Sequence, residues 1–264
     1  MEVCVDSLYS VQNAYEGNAN RIELCSSLGE GGLTPTCGLF KSIKKYLNKK
    51  REQNESRIMN IHCMIRCRPG DFNYSDQEIE SMSEDIKNFV ELGANGLVFG
   101  GLTPDGSIDE DLMNDFIKLI PSNVKKTYHR AFDVCANWED SFEKIQNLGF
   151  DYLLTSGQKK TAFEGRDLIA RLIRISEESS DKNNKIIVMP GCGINRNNLK
   201  QILEVTKCKE FHASCSSTME SKMIFRNNDI PMGSNQLEEF SIKYTDKNKV
   251  NELSDIYRKF YEIK

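Results

Sequence analysis

The sequence predicts an α/β protein, a (β/α)8 TIM barrel occupying residues 1–264 as one domain. Three observations carry this expectation. Short β-branched runs alternate with longer stretches of helical period. The alternation recurs about once per 30 residues, the length of one βα unit. Eight such units fit the chain, and eight parallel strands with outer helices close a barrel of about 250 residues.

The expected strands are 2–5, 21–25, 59–66, 96–100, 125–132, 152–156, 185–190 and 210–215. Between them, Ile79, Met82, Ile86 and Phe89 share one helical face, as do Leu112, Phe116 and Leu119. Leu168, Leu172 and Ile175 repeat the spacing, and so do Leu199, Ile202 and Val205. Ser75 followed by Glu78 reads as a capping box, while Gly93 and Gly149 stand where helices end before strands. A doubly wound open sheet is the rival. Its Gly-rich first turn is missing, because the first strand ends in Cys4-Val5-Asp6-Ser7. Residues 48–57 read as a charged surface insertion, and 218–245 as a long connection on the strand-end face, where barrels carry their sites.

A hydrophobic fraction of 39%, a charged fraction of 28% and a net charge of −4 are those of an ordinary polar globular chain. They give no reason to expect nucleic acid or an anionic membrane as partner. The first residues lack a signal-peptide pattern and no apolar run approaches a membrane span, so a cytoplasmic protein is expected, with the nucleus open to it. Nine cysteines spread along the chain, without a C-x-x-C pair, read as reduced thiols, most of them small core residues.

Period-two alternation selects what faces the barrel interior. Val3, Val5, Ile22 and Leu24 should pack on helices, leaving Glu2, Cys4, Arg21, Glu23 and Cys25 inside. Strand three adds His62, Met64 and Arg66, strand five Thr127 and His129, strand six Thr155, and strand eight His212 and Ser214. All three histidines then share one interior. Glu2, Arg21 and Glu23 also suit a buried ionic network, and a strand histidine is often only a core group.

Candidate anion contacts are Arg66 and Arg68 around the Pro69-Gly70 turn, His62, Thr155, the Gly191-Cys192-Gly193 loop, His212 and Ser214. His129 is the candidate acid–base group, with Glu23 orienting or exchanging protons. Cys4 and Cys25, on neighbouring strands, are candidate thiolate ligands for a soft ion such as Cu(I).

Several segments together resemble the CutC copper-homeostasis family over nearly the whole chain. They are Arg21-Ile22-Glu23-Leu24-Cys25, Glu30-Gly31-Gly32-Leu33-Thr34-Pro35, Gly70-Asp71-Phe72-Asn73-Tyr74-Ser75, His129-Arg130-Ala131-Phe132-Asp133, Leu154-Thr155-Ser156-Gly157 and Phe225-Arg226-Asn227. The resemblance implies a cytosolic homo-oligomeric barrel, dimer or tetramer, linked to copper handling, with Cu(I) as ligand. Cys67, Pro69 and Cys192 depart from the family's usual residues. The alternative reading is a lyase, isomerase or hydrolase acting on a small anionic or phosphorylated substrate.

Overall fold

The computed structural model describes every residue except 54–56, 180–184, 228, 231–238 and 263–264. Eight parallel strands form a nearly closed barrel: β1 (Glu2–Val5), β2 (Arg21–Leu24), β3 (Asn60–Met64), β4 (Gly96–Phe99), β5 (Lys125–Tyr128), β6 (Tyr152–Thr155), β7 (Ile187–Pro190) and β8 (His212–Ala213). Their order runs β7-β6-β5-β4-β3-β2-β1-β8, so the seam lies between β7 and β8. The outer helices are α1 (Leu8–Glu16), α2 (Cys37–Glu52), α3 (Asp76–Glu91), α4 (Glu110–Lys118), α5 (Trp138–Asn147), α6 (Arg166–Glu178), α7 (Leu199–Thr206) and α8 (Lys247–Glu262).

Alternation along the strands sorts two cores. Val3, Val5, Ile22, Leu24, Ile61, Cys63 and Ile65 join the large cluster between sheet and helices. Cys25, Met64 and Val98 form a small apolar cluster of their own. All three histidines are buried at inward positions. On α3, Met82, Ile86 and Phe89 are buried as the spacing requires, and Ser75 and Glu78 complete the capping box.

Several boundaries differ from the sequence expectation. β5 ends at Tyr128, because His129 caps a 3-10 turn over Arg130–Val134. Residues 48–52 continue α2 instead of opening an insertion, and 54–56 lie outside the described residues. The long connection folds back as an antiparallel hairpin of β9 (Ser216–Glu220) and β10 (Ser241–Thr245). It is anchored to α1, where Asn13 donates to the Thr245 carbonyl at 2.8 Å and Thr245 N–H donates to Ser10 at 3.1 Å. Tyr9 and Tyr244 pack at 5.6 Å.

On β6 the expected parity is reversed. Leu153 belongs to the outer core, whereas Leu154 lines the interior cavity and Tyr152 stacks beneath Arg21. Thr155 therefore points away from the interior, and its hydroxyl donates to Asp133 at 2.5 Å.

Candidate functional site

A cavity of about 660 Å³ opens at the strand C-terminal ends, within the range of metabolite pockets. Beneath it lies an ionic floor. Glu2 is fully buried, accepts from Arg21 Nε at 2.5 Å and lies 2.9 Å from His212 Nδ1. Arg21 also pairs with Glu210 at 2.7 Å and covers the Tyr152 ring at 4.5 Å. Burial resists ionisation of Glu2, but the Arg21 guanidinium and His212 outweigh it and hold its carboxyl well below the usual range.

Above this floor, Cys4, Glu23 and His212 bring one ligand atom each within 4.8 Å of one another. The cause is strand register. Cys4 pairs with Glu23, and Glu2 pairs with His212, so three neighbouring strands converge on one spot. His212 Nε2 lies 3.6 Å from Glu23, while Nδ1 is held by Glu2. A carboxylate on the far ring nitrogen is the usual support of a metal-binding histidine. Burial opposes protonation of His212, yet Glu23, Cys4 and Glu2 together raise its pKa well above 6.5. Burial pushes Glu23 up to about 7 against the pull of His212.

Cys25 stands two places beyond Glu23 along β2 and is not part of this group of three. Its thiol is fully buried beside Met64 and Val98, and burial, with Glu23 next, pushes its pKa well up. Glu23 and Cys4 both act on the Cys25 thiol, so it stays beside the group, and Glu23 and His212 join the two cysteines expected from the sequence.

The other candidate residues divide into two sets. Arg66, His129, Gly193 and Ser214 line the same cavity. His62, Thr155, Gly191 and Arg68 do not. His62 sits against the floor, 3.8 Å from Glu2, in space left by Gly96, where a Cβ would come within 2.6 Å of the ring. Gly191 packs where a Cβ would meet Leu154 at 2.5 Å. Arg68 is spent on the loop itself: it donates to Glu78 at 2.5 Å and to Asp71 at 2.9 Å, and stacks on Tyr74.

Sequence reasoning singled out neither Arg130 nor Asp133 as site residues, although both stood in a quoted motif. Asp133 accepts from Ser156 N at 3.0 Å, Ser156 Oγ at 2.9 Å and Arg130 Nε at 2.7 Å, which fixes Arg130 at the cavity wall. The hairpin adds Lys243, Tyr244 and Thr245 to the lining.

The residues 1–217 match the model of the CutC family. The chain belongs to the CutC family. A curated human relative named copper homeostasis protein cutC homolog is 44% identical over 257 residues, covering 97% of this chain and 88% of the relative. A CutC family protein of Parabacteroides distasonis is 42% identical over 252 residues, 95% of this chain and 97% of its own. A crystal structure of CutC from Streptococcus agalactiae superposes with a TM-score of 0.71 at 29% identity, covering 81% of this chain and 97% of that one. No helix among the described residues of this CutC member is long and apolar enough to cross a membrane.

The titration of the site makes one prediction about the whole fold. Burial pushes His62 down to about 4 and, with Arg66 next, His129 down to about 3. As pH falls below 6.5 toward about 4.5, the unfolded chain therefore comes to hold nearly a proton on each of these rings that the folded chain largely lacks, while His212, raised well above 6.5, becomes charged in both states. Glu23 works the other way, holding one proton that the unfolded chain has lost. The unfolded state binds more, so stability should fall as pH drops across this window. Urea midpoints at pH 6.5 and 4.5 check the sign, and a higher midpoint at pH 4.5 would contradict it.

Proposed function

We propose that this CutC member handles copper, taking Cu(I) in the barrel mouth through the Cys4 thiolate and the His212 imidazole, with Glu23 beside them. The single observation that carries the reading is the convergence of Cys4, Glu23 and His212 within 4.8 Å, with Glu2 behind the ring. A soft thiolate and an imidazole form a donor set suited to Cu(I). The printed names of the relatives supply copper as the metal. Copper is the cargo here, so the residues' task is to bind, orient and release it.

Anaerobic Cu(I) titration against a competing chelator tests this. Cys4→Ser should lower affinity at least about tenfold, the size of losing one metal-site partner, and Cys25→Ser should lower it less. Because His212 is protonated in the metal-free chain, binding should also release a proton, read as a buffer-dependent heat. Equal affinity in Cys4→Ser and parent would remove the barrel-mouth site. The reading includes a cytosolic location, in keeping with nine unbridged cysteines, and self-association as dimer or tetramer, measurable by light scattering.

A further inference from the structure

The cavity has a second polar wall that the thiol–imidazole group does not use. It is built where β3 and β5 end. His129 Nδ1 accepts the main-chain N–H of Ala131 at 3.3 Å. A neutral ring with an accepting Nδ1 carries its proton on Nε2. That Nε2 is buried without a hydrogen-bond partner, and the residue itself is 3% exposed. A buried N–H left unpaired is costly, and such groups in native proteins are satisfied by something.

Arg66 makes an independent case on the same wall. It is 6% exposed, and its guanidinium donates only to main-chain carbonyls: Glu30 at 3.0 Å, Gly32 at 3.4 Å and Gly70 at 2.9 Å. Its Nε has no hydrogen-bond partner, and no carboxylate among the described residues forms an ion pair with it. Buried charges are normally paired, so this one calls for an anion. Phe72 joins the two groups, with its ring 4.9 Å from the Arg66 guanidinium and 4.9 Å from the His129 ring. All three line the cavity. Burial and the Arg66 charge keep the imidazole neutral, so it serves as a donor throughout the physiological range.

We propose that this wall binds a small oxyanion, a carboxylate or phosphate group, with one oxygen accepting His129 Nε2–H and its charge answering Arg66. Cu(I) has no use for N–H donors, so the site is separate from the copper reading and stands or falls without it. A cavity of about 660 Å³ leaves room for the rest of a metabolite beyond the anionic group.

The test uses the full-length, reduced, metal-free protein. Calorimetry and thermal melts are run with inorganic phosphate and with malonate, each against sodium chloride at equal ionic strength. Saturable binding of phosphate alone assigns a phosphate ligand, and of malonate alone a carboxylate; either supports the proposal. His129→Phe keeps an aromatic ring and removes the donor, so binding should weaken about tenfold. Cys4→Ser should leave it unchanged. Nitrogen-15 spectra of histidine-labelled parent protein give a reading that needs no variant: His129 should carry its proton on Nε2, and that resonance should move on anion addition. No saturable effect beyond the chloride control, or an Nδ1-protonated His129, would overturn the proposal while leaving the Cu(I) titration untouched.

Discussion

Glu2→Gln is expected to destabilise the folded chain by about 3 kcal/mol, the lower end of what breaking a buried ion pair costs. The substitution keeps the side chain's size, so the loss is one of charge. Arg21 would retain Glu210, and His212 would retain Glu23, which is why the upper end is not reached. What disappears is the one carboxylate that touches both cations at full burial. Urea denaturation with unchanged slope measures the difference directly. The sign with pH follows from Glu2 being held below its ordinary 4.5. Its contribution is complete above that value and is lost as pH falls toward its folded-state pKa, so the curves of parent and variant should converge on acidification. A difference under about 0.5 kcal/mol at neutral pH would mean that the floor is not held by this carboxylate.

The second large effect lies on the opposite side of the barrel. Gly165→Ala should cost about 3 kcal/mol and loosen the cavity wall. A Cβ at Gly165 would stand 1.9 Å from the Ser156 carbonyl oxygen and 2.9 Å from Gly157 Cα. Both obstacles are backbone, so no side-chain rotation relieves them. Ser156 in turn holds Asp133 through its N–H and hydroxyl, and Asp133 holds Arg130. Displacing the β6 loop therefore moves a charged wall of the pocket along with the fold. Gly29→Ala is the control. It lines the same cavity with nothing within 4 Å of its Cβ, and should stay within about 0.5 kcal/mol of the parent. Equal melting temperatures for Gly165→Ala and Gly29→Ala would show that the loop yields without cost.

The two substitutions probe features of different legibility. Glu2, Cys4, Arg21 and Glu23 could be placed inside the barrel from the sequence because β1 and β2 alternate polar with apolar residues, and a strand's side chains alternate faces. The same rule placed His62, His129 and His212 inside, where the structure has them buried. It failed on β6. Tyr152-Leu153-Leu154-Thr155 holds three adjacent large apolar or aromatic side chains, and so gives no alternation to read.

What only the tertiary structure decided was which residues meet across strands. The stagger between neighbouring strands is a property of the closed sheet, not of either strand, and it sets Glu23 and His212 beside Cys4. Likewise, Arg66 and Arg68 look equivalent in sequence. One turns into the cavity with no carboxylate partner among the described residues, and the other is neutralised by Glu78, whose position is set by the first turn of α3. The hairpin that brings Lys243 and Tyr244 over the mouth depends on α1, more than two hundred residues earlier, offering Asn13 and Ser10 to the β10 backbone. Local periodicity therefore determined the barrel and most of its inward faces. Contacts between residues distant in the chain, which carry no local periodic signal, determined the chemistry at its mouth.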